Sequence, residues 1–332
     1  MKFYNRTNEI ERLRLALGHS SPQFLVIYGR RRCGKSTLLR HIMAADDVYY
    51  MATQSDASVQ RSLIARQISE QFPGFNRSVY PDWLQLFEAL RERADRRFTL
   101  IIDEFPYLAK SDSSLPSTLQ LLLEDRDKLG FDLIICSSSQ QMMQHYAIKA
   151  SSPLYGRADE IIKVSPLQAG WLSEHLSDHS DEEIIKEYAT WGGVPRYWEL
   201  RARYSNYIEA VQKLIMDPIG ILHEEPNRLL LDDIRDPGFS ISLLASIAQG
   251  ANKLSEIGGR LNRPATDLNR PLNRLIGLGY LKRDRPFGAK AKDKKRNLYK
   301  VSDPFMRFYF RYIFPAASDF ELNIYDNTIR KI

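Results

Sequence analysis

GRRRCGKS, residues 29–36, follows the apolar run FLVIY (24–28) and leads directly into TLLRHIM (37–43). Gly29, Gly34, Lys35 and Ser36 fit the spacing G-x-x-x-x-G-K-[ST], in which a strand ends in a loop whose amides point inward at a phosphate. The helix that follows offers its positive N-terminus, Lys35 reaches the outer phosphates, and the Ser36 hydroxyl is a ligand for Mg²⁺. Amides at Arg30, Arg31, Arg32 and Cys33 can contact phosphate whatever their side chains are, and Thr37 extends the amide row into the helix. The three arginines are therefore free for another task. They are either solvated surface charge or partners for acidic residues elsewhere that would sense whether the loop is filled.

A second stretch, LIIDEF (100–105), ends an apolar run in two carboxylates. Asp103 falls at the C-terminal end of a sheet strand, where open α/β sheets bind ligands, and is the second residue expected to hold Mg²⁺, through water. Glu104 follows as a base able to orient water.

Around these motifs the first half of the chain alternates strand and helix. FLVIY (24–28), VYYMA (48–52), FTLIID (98–103), FDLIICS (131–137) and EIIKV (160–164) are short, continuous and rich in β-branched and aromatic residues, the mark of a parallel sheet covered on both faces. SVQRSLIARQISEQF (58–72) and WLQLFEALRERA (83–94) carry apolar residues at helical spacing. The expected fold is an α/β, doubly wound P-loop sheet over residues 1–165. After Pro166 the strands stop, and the expected divisions are a helical lid at 166–225, a further domain at 226–302 and an aromatic-rich segment at 303–332.

At 332 residues the chain exceeds what one core serves. No run approaches the roughly 20 apolar residues of a membrane span, and MKFYNRTNEIERLRLAL lacks a signal-peptide core. A cytoplasmic protein with no membrane partner is expected. Cys33 and Cys136 are too few for a disulfide framework or a zinc site. The net charge of +6 is matched by one segment, KRDRPFGAKAKDKKR (282–296), so the basic character is local.

The chain resembles the additional-strand P-loop ATPases of the AAA+ and STAND group, in particular a prokaryotic, archaeal-type ATPase family with a winged helix behind the motor. The residues that carry the resemblance are Phe3, Arg6 and Glu9 in F-x-x-R-x-x-E, GRRRCGKST, LIIDEF, CSSS (136–139), PLYGR (153–157), GGVPRYW (192–198) and DPFMRFYFRYIFP (303–315). It spans nearly the whole chain. It implies ATP and Mg²⁺ as ligands, with Phe3 to Glu9 near the adenine and Ser137 or Ser138 beside the γ phosphate. Arg157 is implied as a finger or sensor, and Pro195 and Arg196 as lid contacts to the nucleotide. Catalysis would rest on Lys35, Glu104 and Arg157. In one place the chain departs from the family: no acidic, lysine-containing signature of a nuclease-like region follows Pro315, so nuclease activity is not carried over.

FSISLLASIAQGANKLSEIGGRLNRPATDLNRPLNRLIGLGYLKRD (239–284) reads as three helices, the second capped by Ser255, before two strands at YLKRD and NLYKV (297–301). Three helices and a β-wing make a winged helix. Arg270 and Arg274 on the third helix, with Lys294, Lys295 and Arg296 in the wing, are the expected contacts to double-stranded DNA. Two functions follow: an ATP-driven switch whose lid couples nucleotide state to a DNA-gripping domain, or a signalling scaffold in which ATP promotes self-association and the winged helix binds protein. A small-molecule kinase would leave Glu104 and the winged helix without a purpose.

Overall fold

The computed structural model describes the chain except residues 1–4, 173, 175, 177 and 286–296. Two compact units result, Met1–Ser165 and Pro166–Ile332.

The first unit is built on five parallel strands: β1 (Phe24–Tyr28), β2 (Val48–Met51), β3 (Thr99–Asp103), β4 (Asp132–Ser137) and β5 (Glu160–Lys163). Their order across the sheet is β2-β3-β4-β1-β5. All five lie where the apolar runs placed them, trimmed by a residue at some ends. The three inner strands are buried almost throughout, because helices cover both faces. The edge strand β2 alternates buried and accessible residues, and the edge strand β5 buries only Ile162. Phe24, Leu100, Ile102 and Ile135 join Leu86, Phe87, Leu90 and Ile64 of the flanking helices Trp83–Arg93 and Ala57–Ile68 in one core. β4 lies between β1 and β3, so the strand feeding the phosphate loop and the strand ending in the acidic pair are not neighbours.

The second unit is mostly helical: Asp181–Trp191, Pro195–Arg201, Tyr207–Val211 and Glu225–Asp233 precede the helices Gly238–Ala248, Leu254–Leu261 and Ala265–Gly277. These last three are followed by an antiparallel pair, β6 (Leu281–Asp284) and β7 (Leu298–Val301). The expectation that Ser255 caps the middle helix is corrected. That helix begins at Leu254, and the Glu256 carboxylate accepts the amides of Asn252 and Lys253, both at 3.0 Å. A reaching glutamate can satisfy the first amides as well as a capping hydroxyl does. The aromatic segment is interior: Phe305, Met306, Phe310 and Ile313 are fully buried against helices Asp181–Trp191 and Gly238–Ala248.

Candidate nucleotide site

Strand β1 delivers Gly29 against the end of β5. A Cβ at Gly29 would meet the Val164 carbonyl oxygen at 2.2 Å, so the close approach of two backbones, rather than a turn, demands glycine here. Gly34 adopts φ +88° as the N-cap of helix Lys35–Ile42, which aims the first amides of the helix at the loop interior. Arg32, at φ +67°, is a non-glycine residue in the left-handed region, a conformation that costs about 1 to 2 kcal/mol unless its surroundings hold it. Of the three arginines only Arg31 is exposed. Arg30 is buried and Arg32 half-buried, so the triplet is not uniformly solvated surface charge.

Lys35 is 5% exposed, and its ammonium donates to the Arg30 carbonyl at 3.2 Å. Ser36 Oγ donates to Asp103 Oδ2 at 2.6 Å, joining the phosphate loop to the end of β3 across 67 residues of chain. Asp103 is buried, and its Oδ1 accepts the Glu104 amide at 3.0 Å. The carboxylate also lies near the buried Cys136 thiol, whose pKa burial pushes well up, with the Asp103 charge adding to the effect. Both cysteines are buried and neither is in a disulfide, and the Cys136 thiol keeps its proton.

Glu104 sits at φ +55° as the N-cap of helix Phe105–Ser111. Its carboxylate is held by two consecutive serines of the β4 end. Ser138 Oγ donates to Oε1 at 2.5 Å, while the Ser138 amide and Ser137 Oγ reach Oε2, each at 3.3 Å. The serines expected to sense phosphate therefore lie beside the expected base.

Arg6 is 6% exposed, with Nη1 on Glu9 at 2.9 Å and Nη2 donating to the Cys33 carbonyl at 2.8 Å. It fixes the backbone of the phosphate loop from outside. Phe3 lies outside the described residues.

Arg157 is placed differently from the other candidates of this unit. It precedes β5 at the end of the sheet where Asp159 donates its amide to Phe24 O, and Leu25 registers with Glu160. The phosphate loop leaves the other end of β1. Five residues at about 3.3 Å each separate the two ends by roughly 15 Å, so Arg157 does not complete the site of its own chain. Its guanidinium pairs with Glu124 at 3.1 Å. In the second unit, Pro195 opens the helix Pro195–Arg201, and Arg196 pairs with Glu199 at 2.9 Å. Of the two glycines before it, Gly193 serves packing, since a Cβ there would lie 1.8 Å from the Leu167 carbonyl oxygen, and Gly192 serves the backbone, at φ +64° after helix Asp181–Trp191.

One contributor has no motif. Tyr49, in β2, donates its hydroxyl to Asp103 Oδ2 at 2.5 Å, and the Arg40 guanidinium lies 5.0 Å from its ring centre. Burial foremost, then the Asp103 charge, holds the phenol pKa above its ordinary value, so this hydroxyl remains a donor. In the sequence it is one aromatic in an apolar strand, a position that ordinarily means core.

Among the basic residues expected at DNA, Arg270 is exposed on helix Ala265–Gly277, as are Asn269 and Asn273. Arg274 is also exposed but donates to the Asp233 carbonyl at 3.2 Å. Lys294, Lys295 and Arg296 lie outside the described residues. No helix of the described residues is long and apolar enough to cross a membrane.

An ATPase domain found predominantly in Archaea matches residues 3–200. An uncharacterized protein of Methanocaldococcus jannaschii, MJECL04, is 31% identical over 327 residues, which cover 98% of this chain and 72% of that protein. Among solved structures, the Walker-type ATPase PABY2304 of Pyrococcus abyssi superposes with a TM-score of 0.69 at 19% identity, over 93% of this chain and 96% of that one. The Aeropyrum pernix ORC2 protein, solved in ADPNP and ADP complexes, gives 0.57 at 17% identity, over 99% and 95% of the two chains. With a family match over more than half of its length and a relative 31% identical along nearly all of it, the chain belongs to the family of P-loop ATPase domains found predominantly in Archaea.

Proposed function

We propose that the protein is an ATP-hydrolysing switch whose nucleotide state is passed to its C-terminal helices and β-pair, read as a winged helix that contacts duplex DNA. The observation that carries the catalytic part is the 2.6 Å bond between Ser36 and Asp103, which unites two distant motifs in one oxygen-lined site beside Glu104. Hard oxygen donors of this kind suit Mg²⁺ completed by phosphate and water. Ser36 directly and Asp103 through water would hold the ion, which when bound supplies charge neutralisation at the β and γ phosphates.

The chain's own residues do the rest. Loop amides and Lys35 bind the phosphates, and the ammonium exchanges the Arg30 carbonyl for a phosphate oxygen. Glu104 orients a water and takes its proton as the water oxygen bonds to the γ phosphorus and the bond to the β–γ bridging oxygen breaks. To do so it must give up a serine donor, and a phosphate oxygen competing for Ser137 or Ser138 provides that exchange. Lys35→Ala is expected to abolish nucleotide binding or turnover, read by titration with ATP and by phosphate release. Wild-type turnover in that variant overturns the assignment of the site.

A second reading, ATP-dependent self-association, is favoured by the position of Arg157. At the far end of its own sheet, a positively charged group can stabilise the transition state only in a neighbouring copy. The two readings are compatible, and they separate by experiment: duplex DNA added to the ATPase assay tests the first, and mass in ADP against a slowly hydrolysed ATP analogue tests the second.

A further inference from the structure

We infer that Tyr49 is a positioning residue for the metal of this site, acting through Asp103 on the hydroxyl of Ser36. The inference rests on the reading of Ser36 and Asp103 as the Mg²⁺ pair.

Each carboxylate oxygen accepts about two hydrogen bonds in its plane. Asp103 Oδ2 accepts from Ser36 at 2.6 Å and from Tyr49 at 2.5 Å, and Oδ1 accepts from the Glu104 amide at 3.0 Å. Three donors from three elements, helix Lys35–Ile42, strand β2 and the chain after β3, thus fix both the position and the plane of one carboxylate. The amide is adjacent in sequence and moves with Asp103. Ser36 is the group whose orientation is at stake. Tyr49 is the remaining hydroxyl anchor, supplemented only by the weaker donor of the Cys136 thiol in β4, and it comes from a strand that carries no nucleotide motif.

The consequence for the metal is geometric. A serine hydroxyl that ligates an ion through a lone pair keeps its proton, and that proton must go to an acceptor. With Asp103 held by Tyr49, the Ser36 proton has one direction, and the lone pairs of Ser36 are aimed by default. Without the tyrosine hydroxyl the carboxylate can rotate about its Cβ–Cγ bond and take the Ser36 proton with it. Partners of metal ligands at this remove typically contribute about 10- to 100-fold in metal affinity.

Tyr49→Phe removes the hydroxyl and keeps the ring on which the Arg40 guanidinium lies, so packing is retained. The measurement is binding of a fluorescent adenine nucleotide to the full chain, first with Mg²⁺ chelated and then across a Mg²⁺ titration, for wild type, Tyr49→Phe and Asp103→Asn. The expected result is metal-free nucleotide affinity within about twofold of wild type, with the half-saturating Mg²⁺ concentration raised about tenfold or more. Thermal melting reports any general loss of fold, which would weaken metal-free binding as well. An unchanged or lowered Mg²⁺ midpoint in Tyr49→Phe overturns the role of Tyr49. If wild type and Asp103→Asn both bind nucleotide without regard to Mg²⁺, the underlying reading of the metal pair fails instead.

Discussion

Replacing Glu104 by glutamine separates what this side chain does for the resting protein from what it does for chemistry. Glutamine fills the same space, and its carbonyl oxygen can still accept the 2.5 Å bond from Ser138 Oγ. The other oxygen becomes an NH₂ group facing the Ser138 amide at 3.3 Å, donor against donor. One long charge-assisted bond is lost and the short one becomes neutral, together about 1 to 2 kcal/mol in the nucleotide-free state. In a unit of this size that lowers the melting midpoint by roughly 2 to 8 °C. Chemistry is affected far more. A positioned base contributes about 10²- to 10⁴-fold, or about 2.7 to 5.4 kcal/mol of barrier. Glu104→Gln should therefore bind ATP within about threefold of wild type, because Lys35 and the loop amides are intact, while single-turnover phosphate release falls by at least about a hundredfold. The assay pairs nucleotide titration with rapid-quench hydrolysis on the same preparation. Turnover within threefold of wild type, with binding intact, would remove Glu104 from the reaction and leave its left-handed backbone and serine contacts as architecture.

Other outcomes follow from single positions. Gly29→Ala forces a Cβ onto the Val164 carbonyl oxygen, a backbone atom that cannot rotate away, so stability should fall by about 1 to 3 kcal/mol in a denaturant melt and phosphate binding should weaken with it; an unchanged midpoint would mean that the loop relaxes freely. Arg157→Ala should leave nucleotide affinity unchanged and lower turnover by about 10³-fold, and mixing it with Lys35→Ala chains should restore activity, since each supplies what the other lacks. Equal turnover of Arg157→Ala and wild type at all protein concentrations counts against the neighbouring-copy reading. Arg270→Ala should weaken duplex binding and make the slope of log affinity against log salt shallower by about 0.9 if this arginine neutralises one phosphate; an identical slope places Arg270 away from the DNA backbone.

The sheet was legible because its inner strands are buried on both faces and so read as unbroken apolar runs, and the phosphate loop because its glycines answer to backbone constraints that few other residues meet. Glu104 and Asp103 were legible as a pair ending such a run. What they touch was not. Ser138 meets Glu104 and Tyr49 meets Asp103 only because β4 and β2 flank β3 in a particular register, and nothing local to either residue announces that register. Arg157 shows the same limit: its neighbours in sequence suggest a catalytic arginine, but which end of the sheet it occupies depends on where β5 begins. Arg30 was invisible for a third reason, since a charge in a loop is ordinarily solvated and its burial depends on the fold around it.

The insertion of β4 between β1 and β3 means that the elements carrying Ser36 and Asp103, the pair proposed for Mg²⁺, are held apart by a strand and meet only by reaching past its end. At about 4.8 Å per strand, β1 and β3 stand roughly 9.6 Å apart, and the side chain at the gap is Cys136, fully buried beside Asp103. The width of that gap is fixed by the ladder hydrogen bonds on either side of β4, so the Ser36–Asp103 contact is made by side chains beyond the strand ends. A larger side chain at Cys136 would press on the Asp103 carboxylate beside it while the ladder holds, so a substitution at this one interior position should disturb the Ser36–Asp103 contact before it loosens the sheet.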